Sequence, residues 1–220
     1  ASVTAKSAWH AVGVRLGSFL LWCNKPYSRG TVGLTSSDPY AEPDVAFEML
    51  SDRRDMDRMT DGVRRMANLF NDPALAAVAR DPFPSSYSER VRRIGAVTTR
   101  NRILTSILGA LMDCPGPIRR AAIHGFITQG ATLARMLKDK DEMEEFVRDG
   151  VSGCWHPSGT CRMGRADDPL AVTDPSGRVY GVQNLRVCDA SLMPCVPRAN
   201  TNIPTMMMAE KVSDAVLSKA

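Results

Sequence analysis

One histidine of this chain lies in a segment whose composition is typical of a functional loop. His156 falls within 153–164, which reads Gly-Cys-Trp-His-Pro-Ser-Gly-Thr-Cys-Arg-Met-Gly. Glycine and proline interrupt any regular period there, so we expect a loop that can reach a cleft. An imidazole titrates near pH ~6.5 and can take a proton at neutral pH. Taken alone, the segment fits a surface or structurally bonded histidine better than a base.

A second segment places an acidic and a small residue after an apolar stretch. Leu185 and Val187 predict a buried strand, and Asp189 and Ala190 follow it directly. Ligands of open α/β sheets lie at the carboxyl ends of strands, and small residues let the backbone approach a ligand closely. The alternative is an aspartate that caps a turn.

A third segment surrounds the start of the last predicted helix. Asn200 and Asn202 precede Pro204, which lies in the first turn of a helix expected to end near Leu217. The N-terminus of a helix exposes free N–H groups and carries about half a positive charge, so it attracts negative charge that develops nearby. A plain asparagine cap is the alternative.

Earlier elements must position these segments. β-Forming residues cluster over 9–22 and again over 31–34, on either side of the turn-forming stretch 24–30, which predicts two strands of one sheet. Over 53–70, apolar residues recur every three or four positions, which predicts an amphipathic helix that packs on the core.

The middle of the chain has weaker patterns. The stretch 81–140 is basic and predicts two helices, before and after Cys114-Pro115-Gly116-Pro117. Asp141 followed by Glu144 predicts a short helix over 141–148 that starts at Asp141.

The composition is that of an ordinary globular protein. Of 220 residues, 44% are hydrophobic and 24% charged, which excludes a disordered or collagenous chain. The net charge of +4 gives no reason to expect nucleic-acid binding. No apolar run approaches the ~20 residues of a transmembrane helix. The six cysteines are too few for a disulfide scaffold and no clean signal peptide is visible, which predicts reduced thiols in the cytoplasm.

The order and spacing of these segments resemble the C-terminal signature of the glucose-methanol-choline (GMC) oxidoreductases, flavin enzymes that oxidise alcohols. The resemblance covers nearly all of 151–220, and Lys25-Pro-Tyr-Ser-Arg-Gly30 is similar to the start of that family's C-terminal region. Its motifs are His156-Pro-Ser-Gly-Thr-Cys-Arg-Met-Gly164, Asp174 to Val182, Asn184-Leu-Arg-Val-x-Asp-Ala-Ser191, Asn200-Thr-Asn-x-Pro-Thr205 and Ala209-Glu-Lys211.

The resemblance implies a fold, a cofactor and roles for particular residues. The implied class is α/β (α+β mixed): a substrate-domain sheet with helices, plus a strand and the final helix of an FAD-binding domain. His156 corresponds to the family's base, and Asn200 to the second His or Asn, which bonds the substrate oxygen. The implied FAD-binding residues are Asp189, Ala190, Asn202, Pro204 and Thr205.

The resemblance also implies a missing half. The sequence contains no Gly-x-Gly-x-x-Gly, the element that grips the FAD diphosphate. Residues 1–150 would form a partial substrate-binding domain, with 81–140 as a helical insertion, and 151–220 would return to the FAD-binding domain. The expected partners are an N-terminal FAD-binding half, on the same parent chain or a second polypeptide, and a small-molecule alcohol. The isolated chain is expected to be inactive.

Three other functions remain open at this stage. Hydroxynitrile lyases share the family scaffold but cleave their substrate without redox turnover. A non-catalytic partner subunit could dock through the basic stretch 90–120, and the insertion could be a lid or an oligomer contact. A zinc module would use Cys154, His156, Cys161, Cys188 and Cys195, but their irregular spacing lacks the paired ligands typical of zinc, so no metal is predicted.

Overall fold

The computed structural model describes the backbone of residues 8–86 and 89–218, which forms two compact units. Of the described residues, those within 8–22 and 56–152 form the first unit, and those within 23–55 and 153–218 form the second. The sequence predicts one boundary at residue 150, whereas the segment Cys23–Asp55 clusters with the C-terminal residues. The assignment of these parts to a substrate domain and an FAD-binding domain stays a prediction.

Helices dominate the secondary structure. They are α1 (His10–Gly13), α2 (Arg53–Leu69), α3 (Pro73–Val78), α4 (Glu89–Gly95), α5 (Thr99–Asp113), α6 (Gly116–Ala122), α7 (Leu133–Lys138), α8 (Lys140–Gly150) and α9 (Asn202–Leu217). A π-helical turn spans Ile123–Thr128, and a 3₁₀ turn spans Ala190–Leu192. Each helix in the described part of the chain is too short or too polar to span a bilayer.

The prediction of a strand over 9–22 is wrong. Residues 10–13 form α1, and 16–22 have no regular secondary structure. Trp9, Val12 and Leu16 are spaced by three and four positions, and all three belong to a core that also contains Leu108 of α5. Gly109 allows α1 to approach closely, because a Cβ at that position would lie 2.9 Å from the Ala11 carbonyl oxygen. A short apolar run does not distinguish a helix from a strand, and packing against α5 decided this one.

The amphipathic helix predicted over 53–70 is confirmed as α2. Its buried face includes Met56, whereas Arg58 and Arg65 are exposed. The helix predicted over 141–148 is also confirmed, but it starts earlier than expected. The carboxylate of Asp139 accepts hydrogen bonds from the Asp141 and Glu142 amides, so Asp139 caps α8 in place of Asp141.

The two helices predicted within 81–140 are present as α5 and α6, which lie on either side of Cys114-Pro115. The structure adds α4, the π-helical turn and α7, none of which has a strong sequence period. Each is too short to show a repeated apolar spacing, which explains why the pattern gave no signal.

The second unit contains a small sheet and a core beneath α9. The strand expected over 31–34 is confirmed as β1 (Thr31–Gly33), which pairs antiparallel with β2 (Asp44–Ala46), Val32 lying opposite Val45. The core of this unit comprises Leu192, Met193, Met208 and Val212.

The buried strand predicted around Leu185 and Val187 is wrong. Leu185 is 50% exposed, and this stretch forms one isolated bridge, between Arg178 and Arg186. Its backbone bonds to nearby turns: the Val179 amide donates to the Leu185 carbonyl, and the Val187 amide donates to the Gly177 carbonyl. The stretch therefore belongs to a folded loop, and Val187 still packs against the core.

Candidate functional site

The segment that carries His156 is a loop, as its composition predicts, and it lies alongside the Ala190–Leu192 turn. Three backbone hydrogen bonds join the two segments: Gly159 N to Ala190 O (3.2 Å), Cys161 N to Ser191 O (3.0 Å) and Met163 N to Leu192 O (2.9 Å). Leu192 is fully buried, so the turn is anchored in the core. Two of the segments that the sequence singled out are therefore adjacent.

Two residues of this loop have left-handed backbone conformations. Gly159 has a φ of 85°, and a Cβ there would lie 3.1 Å from the Met193 carbonyl oxygen. Trp155, directly before His156, has a φ of 63° and is 86% exposed. A bulky residue rarely adopts this conformation, which tends to occur at functional sites.

Asp189 caps the 3₁₀ turn that follows it. Its carboxylate accepts a hydrogen bond from the Ser191 amide at 2.7 Å, and the residue is exposed. This is the turn-capping role that the sequence left open as an alternative. The cap also fixes the backbone of Ala190, which lies beside the His156 loop. Because the alanine side chain is small, a ligand can approach this backbone closely. A cofactor contact at either residue stays a prediction.

The third segment reaches His156 through a residue that the sequence did not single out. The hydroxyl of Thr201 lies 2.9 Å from Nδ1 of His156, and Thr201 is 8% exposed. His156 itself is partly buried. The only sequence signal for Thr201 is its position between Asn200 and Asn202, at the expected helix start.

Helix α9 begins at Asn202, two residues before Pro204, so the proline lies in its first turn as predicted. Thr201 is the N-cap residue, yet its side chain makes no capping hydrogen bond. The Thr201 carbonyl accepts from both the amide (2.9 Å) and the hydroxyl (2.7 Å) of Thr205. Asn200 is exposed, and its side chain makes no hydrogen bond to the residues that the structure describes. Its amide is therefore accessible to a ligand.

A buried carboxylate holds the loop 25–30, the segment similar to the start of the family's C-terminal region. The Asp55 side chain accepts hydrogen bonds from the amides of Tyr27 (2.9 Å) and Ser28 (2.7 Å) and from the Ser28 hydroxyl (2.7 Å). Burial raises the pKa of Asp55, but these hydrogen bonds outweigh it and hold the pKa below its ordinary value. The Arg54 guanidinium stacks 3.7 Å from the centre of the Tyr27 ring. We call this set of contacts the Asp55 clamp.

The described residues contain no cluster of three or more potential metal ligands, and the six cysteines are free. The hydroxyl oxygen of Ser158, two residues after His156, is buried and has no hydrogen-bond partner among the described residues. A buried polar atom without a partner is costly, so this oxygen indicates a site for a water or a ligand atom.

Comparison with known proteins identifies the family. A family model described as GMC oxidoreductase matches residues 26–209. The chain belongs to the GMC oxidoreductase family. The chain is 40% identical to a 5-(hydroxymethyl)furfural oxidase of Methylovorus sp. (strain MP688) over 205 residues, which cover 93% of the chain and 32% of that protein. An oxygen-dependent choline dehydrogenase of Chromohalobacter salexigens is 32% identical over 217 residues, 98% of the chain and 29% of that protein. The chain thus spans about a third of the length of these GMC relatives.

Solved structures give the same fold. A fungal aryl-alcohol oxidase superposes with a TM-score of 0.60 at 24% identity, over 89% of this chain and 24% of that one. An FAD-dependent oxidoreductase from Chaetomium thermophilum gives a TM-score of 0.62 at 20% identity, over 89% of this chain and 25% of that one. These similarities confirm the mixed helix-and-sheet class and the C-terminal GMC fold.

Proposed function

We propose that this chain is the C-terminal part of an FAD-dependent enzyme that oxidises an alcohol to an aldehyde or ketone. The observation that carries the proposal is the bond between His156 and Thr201, which holds an imidazole at the start of α9. The family supports it, and two of the relatives are named for 5-(hydroxymethyl)furfural and choline, which are both alcohols.

The residues around His156 fit part of an FAD site. The Ser158 oxygen has no partner among the described residues, and the Thr201 side chain does not cap the amides of Asn202 and Ile203 at the start of α9. The helix start favours the negative charge of a reduced flavin. The residues that would hold FAD are Asp189, Ala190, Asn202, Pro204 and Thr205. Thr205 would contact FAD without donating to it, because its amide and hydroxyl already donate to the Thr201 carbonyl.

The chemistry divides between FAD and this chain. When bound, FAD supplies the acceptor for a hydride from the carbon that carries the hydroxyl. His156 removes the hydroxyl proton through Nε2, because Nδ1 bonds to Thr201. A positioned base of this kind contributes about 10²–10⁴-fold to the rate. The Asn200 amide donates a hydrogen bond to the substrate oxygen and orients it.

The proposal requires a partner. Because the sequence lacks the glycine-rich element that grips the FAD diphosphate, an N-terminal half must supply it, and the isolated chain is inactive. The free cysteines fit a reducing compartment, which supports the cytoplasm as the location.

The test uses the full-length parent protein with its flavin. We expect His156→Gln to lower the rate of alcohol-dependent flavin reduction by about 10²–10⁴-fold without changing FAD content. His124→Gln, which alters a partly buried histidine of the first unit, is the matched control and leaves the rate unchanged. A His156→Gln rate within about 3-fold of the native rate contradicts the base assignment. A flavin that stays oxidised while a cyanohydrin substrate is cleaved indicates a lyase instead.

A further inference from the structure

We propose that Thr201 is a positioning residue that fixes the orientation and the tautomer of the His156 imidazole. This inference rests on the proposed function, in which His156 is the base. The two side chains meet at 2.9 Å although 45 residues separate them in the chain, and Thr201 is nearly buried.

The Thr201 hydroxyl does not cap α9, although Thr201 stands at the N-cap position of that helix. A threonine at an N-cap usually has extended backbone and accepts a hydrogen bond from the second or third amide of the helix. Thr201 instead has φ −78° and ψ −13°, and its side chain makes no capping bond. Its hydroxyl bonds to His156 instead.

Helix α9 holds the Thr201 backbone in place. The amide and the hydroxyl of Thr205 both donate to the Thr201 carbonyl, at 2.9 Å and 2.7 Å, which ties the residue to the first turn of α9. Met208 and Val212 on the same helix are buried in the core of the second unit. The hydroxyl that meets Nδ1 is thus carried by a packed helix, and a rigid support of this kind gives a functional group a defined position.

The hydrogen bond occupies Nδ1, so Nε2 is the nitrogen that can serve the substrate. We assign the proton of the neutral imidazole to Nδ1, which donates it to the Thr201 oxygen and leaves a lone pair on Nε2. In the reaction the alcohol O–H bond breaks, a new N–H bond forms at Nε2, and the electron pair of the broken bond remains on the substrate oxygen. Nδ1 keeps its proton throughout, and the Thr201 oxygen accepts a hydrogen bond from the cationic ring.

The experiment compares Thr201→Val, which keeps the shape but removes the hydroxyl, with Thr201→Ser, which keeps the hydroxyl. Both are made in the full-length holoenzyme, with Thr173→Val as the control. Thr173 is a fully buried threonine of the same unit, and its hydroxyl bonds to the Cys161 carbonyl. The measurements are kcat and KM for flavin reduction, and the ¹⁵N chemical shifts of labelled histidine, assigned to His156 with His156→Gln.

We expect Thr201→Val to lower kcat by about 10–100-fold, the range seen when partners that orient a histidine ligand are removed, with KM within about 3-fold of native. Its ¹⁵N shifts should show loss of the single tautomer protonated at Nδ1. Thr201→Ser should restore both readouts, and Thr173→Val should change neither.

Two results overturn the inference: native kcat and native ¹⁵N shifts in Thr201→Val, or a Thr201→Ser variant as impaired as Thr201→Val in both readouts. If Thr201→Val folds poorly, Thr201→Ser still tests the inference, because the serine variant retains the hydroxyl. Failure of the proposed function is separate. If His156→Gln remains active, His156 is not the base, whereas the ¹⁵N shifts still show whether Thr201 sets the tautomer.

Discussion

Replacing Asp55 by asparagine tests the Asp55 clamp on the loop that contains Tyr27 and Ser28. Oδ2 of Asp55 accepts hydrogen bonds from both backbone amides and from the Ser28 hydroxyl, Oδ1 accepts from the Tyr27 amide at 3.0 Å, and the residue is 2% exposed. An asparagine of the same shape keeps one accepting oxygen and presents an NH₂ group in place of the other. With its oxygen in the place of Oδ2, the asparagine keeps these three bonds, but none of them is made to a charged group any longer.

The expected cost follows from these contacts. A hydrogen bond to a charged group contributes about 1.5–3 kcal/mol and one between neutral groups about 0.5–1.5 kcal/mol, so each of the three bonds loses about 1 kcal/mol. We therefore expect Asp55→Asn to lower the free energy of local opening by about 3 kcal/mol. At 1.36 kcal/mol per decade, that is a change of about 10²-fold in the opening equilibrium of the loop.

Hydrogen exchange measures this opening directly. In the full-length protein, amides of a peptide that covers 25–30 should exchange about 10²-fold faster in Asp55→Asn than in the native protein. The control is Asp61→Asn on the same helix, which removes an exposed ion pair to Arg65. An exposed pair of this spacing contributes about 0.3–0.5 kcal/mol, so the loop should exchange at its native rate. An exchange rate in Asp55→Asn within about 3-fold of native refutes the reasoning, because the carboxylate would then not hold the loop.

Three further outcomes are expected. The pKa of Asp55 is lowered in the folded state, so its contribution to stability should be complete above about pH 4 and be lost as the pH falls through the folded pKa. The free energies of urea unfolding of Asp55→Asn and of the native protein should therefore converge below that folded pKa. Gly159→Ala should lower the free energy of unfolding by about 1–3 kcal/mol because of its positive φ, whereas Gly153→Ala, with open space around it, should leave the urea midpoint unchanged. The Asp81 carboxylate pairs with Arg119 at 2.7 Å, and both side chains are 17% exposed. Asp81→Asn should therefore lower the free energy of unfolding by about 1–3 kcal/mol, and an unchanged thermal midpoint contradicts this.

Local sequence patterns predicted the elements that are defined by their own residues. The apolar period of α2 extends over 17 residues, and the proline and asparagines at the start of α9 mark a helix N-terminus without reference to the rest of the chain. The glycine and proline of the His156 loop exclude a regular element for the same reason. The motifs also identified the family, since they depend only on residue order.

Strands were predicted less completely in this way, because a strand exists only with a partner: the strand over 31–34 is present, whereas the other two predicted strands are not. The apolar residues of 9–22 and those around Leu185 fit a strand or another conformation equally well as isolated runs. In the folded chain, Val12 packs into a helical core with Leu108, and the 185–187 stretch bonds to neighbouring turns. Only Thr31–Gly33 has a partner, Asp44–Ala46, in a part of the chain with no strand pattern.

The sequence by itself determined the family, the long helices and the residue types available for proton transfer. Tertiary structure alone decided which of these residues meet. His156 bonds to Thr201, 45 positions away, and Asp55 bonds to the Ser28 amide, 27 positions away. A side-chain hydrogen bond between distant residues depends on the path of the intervening backbone, and no local period or propensity encodes that path. The sequence marked Thr201 only as a member of the motif that begins at Asn200, because its role depends on the position of His156.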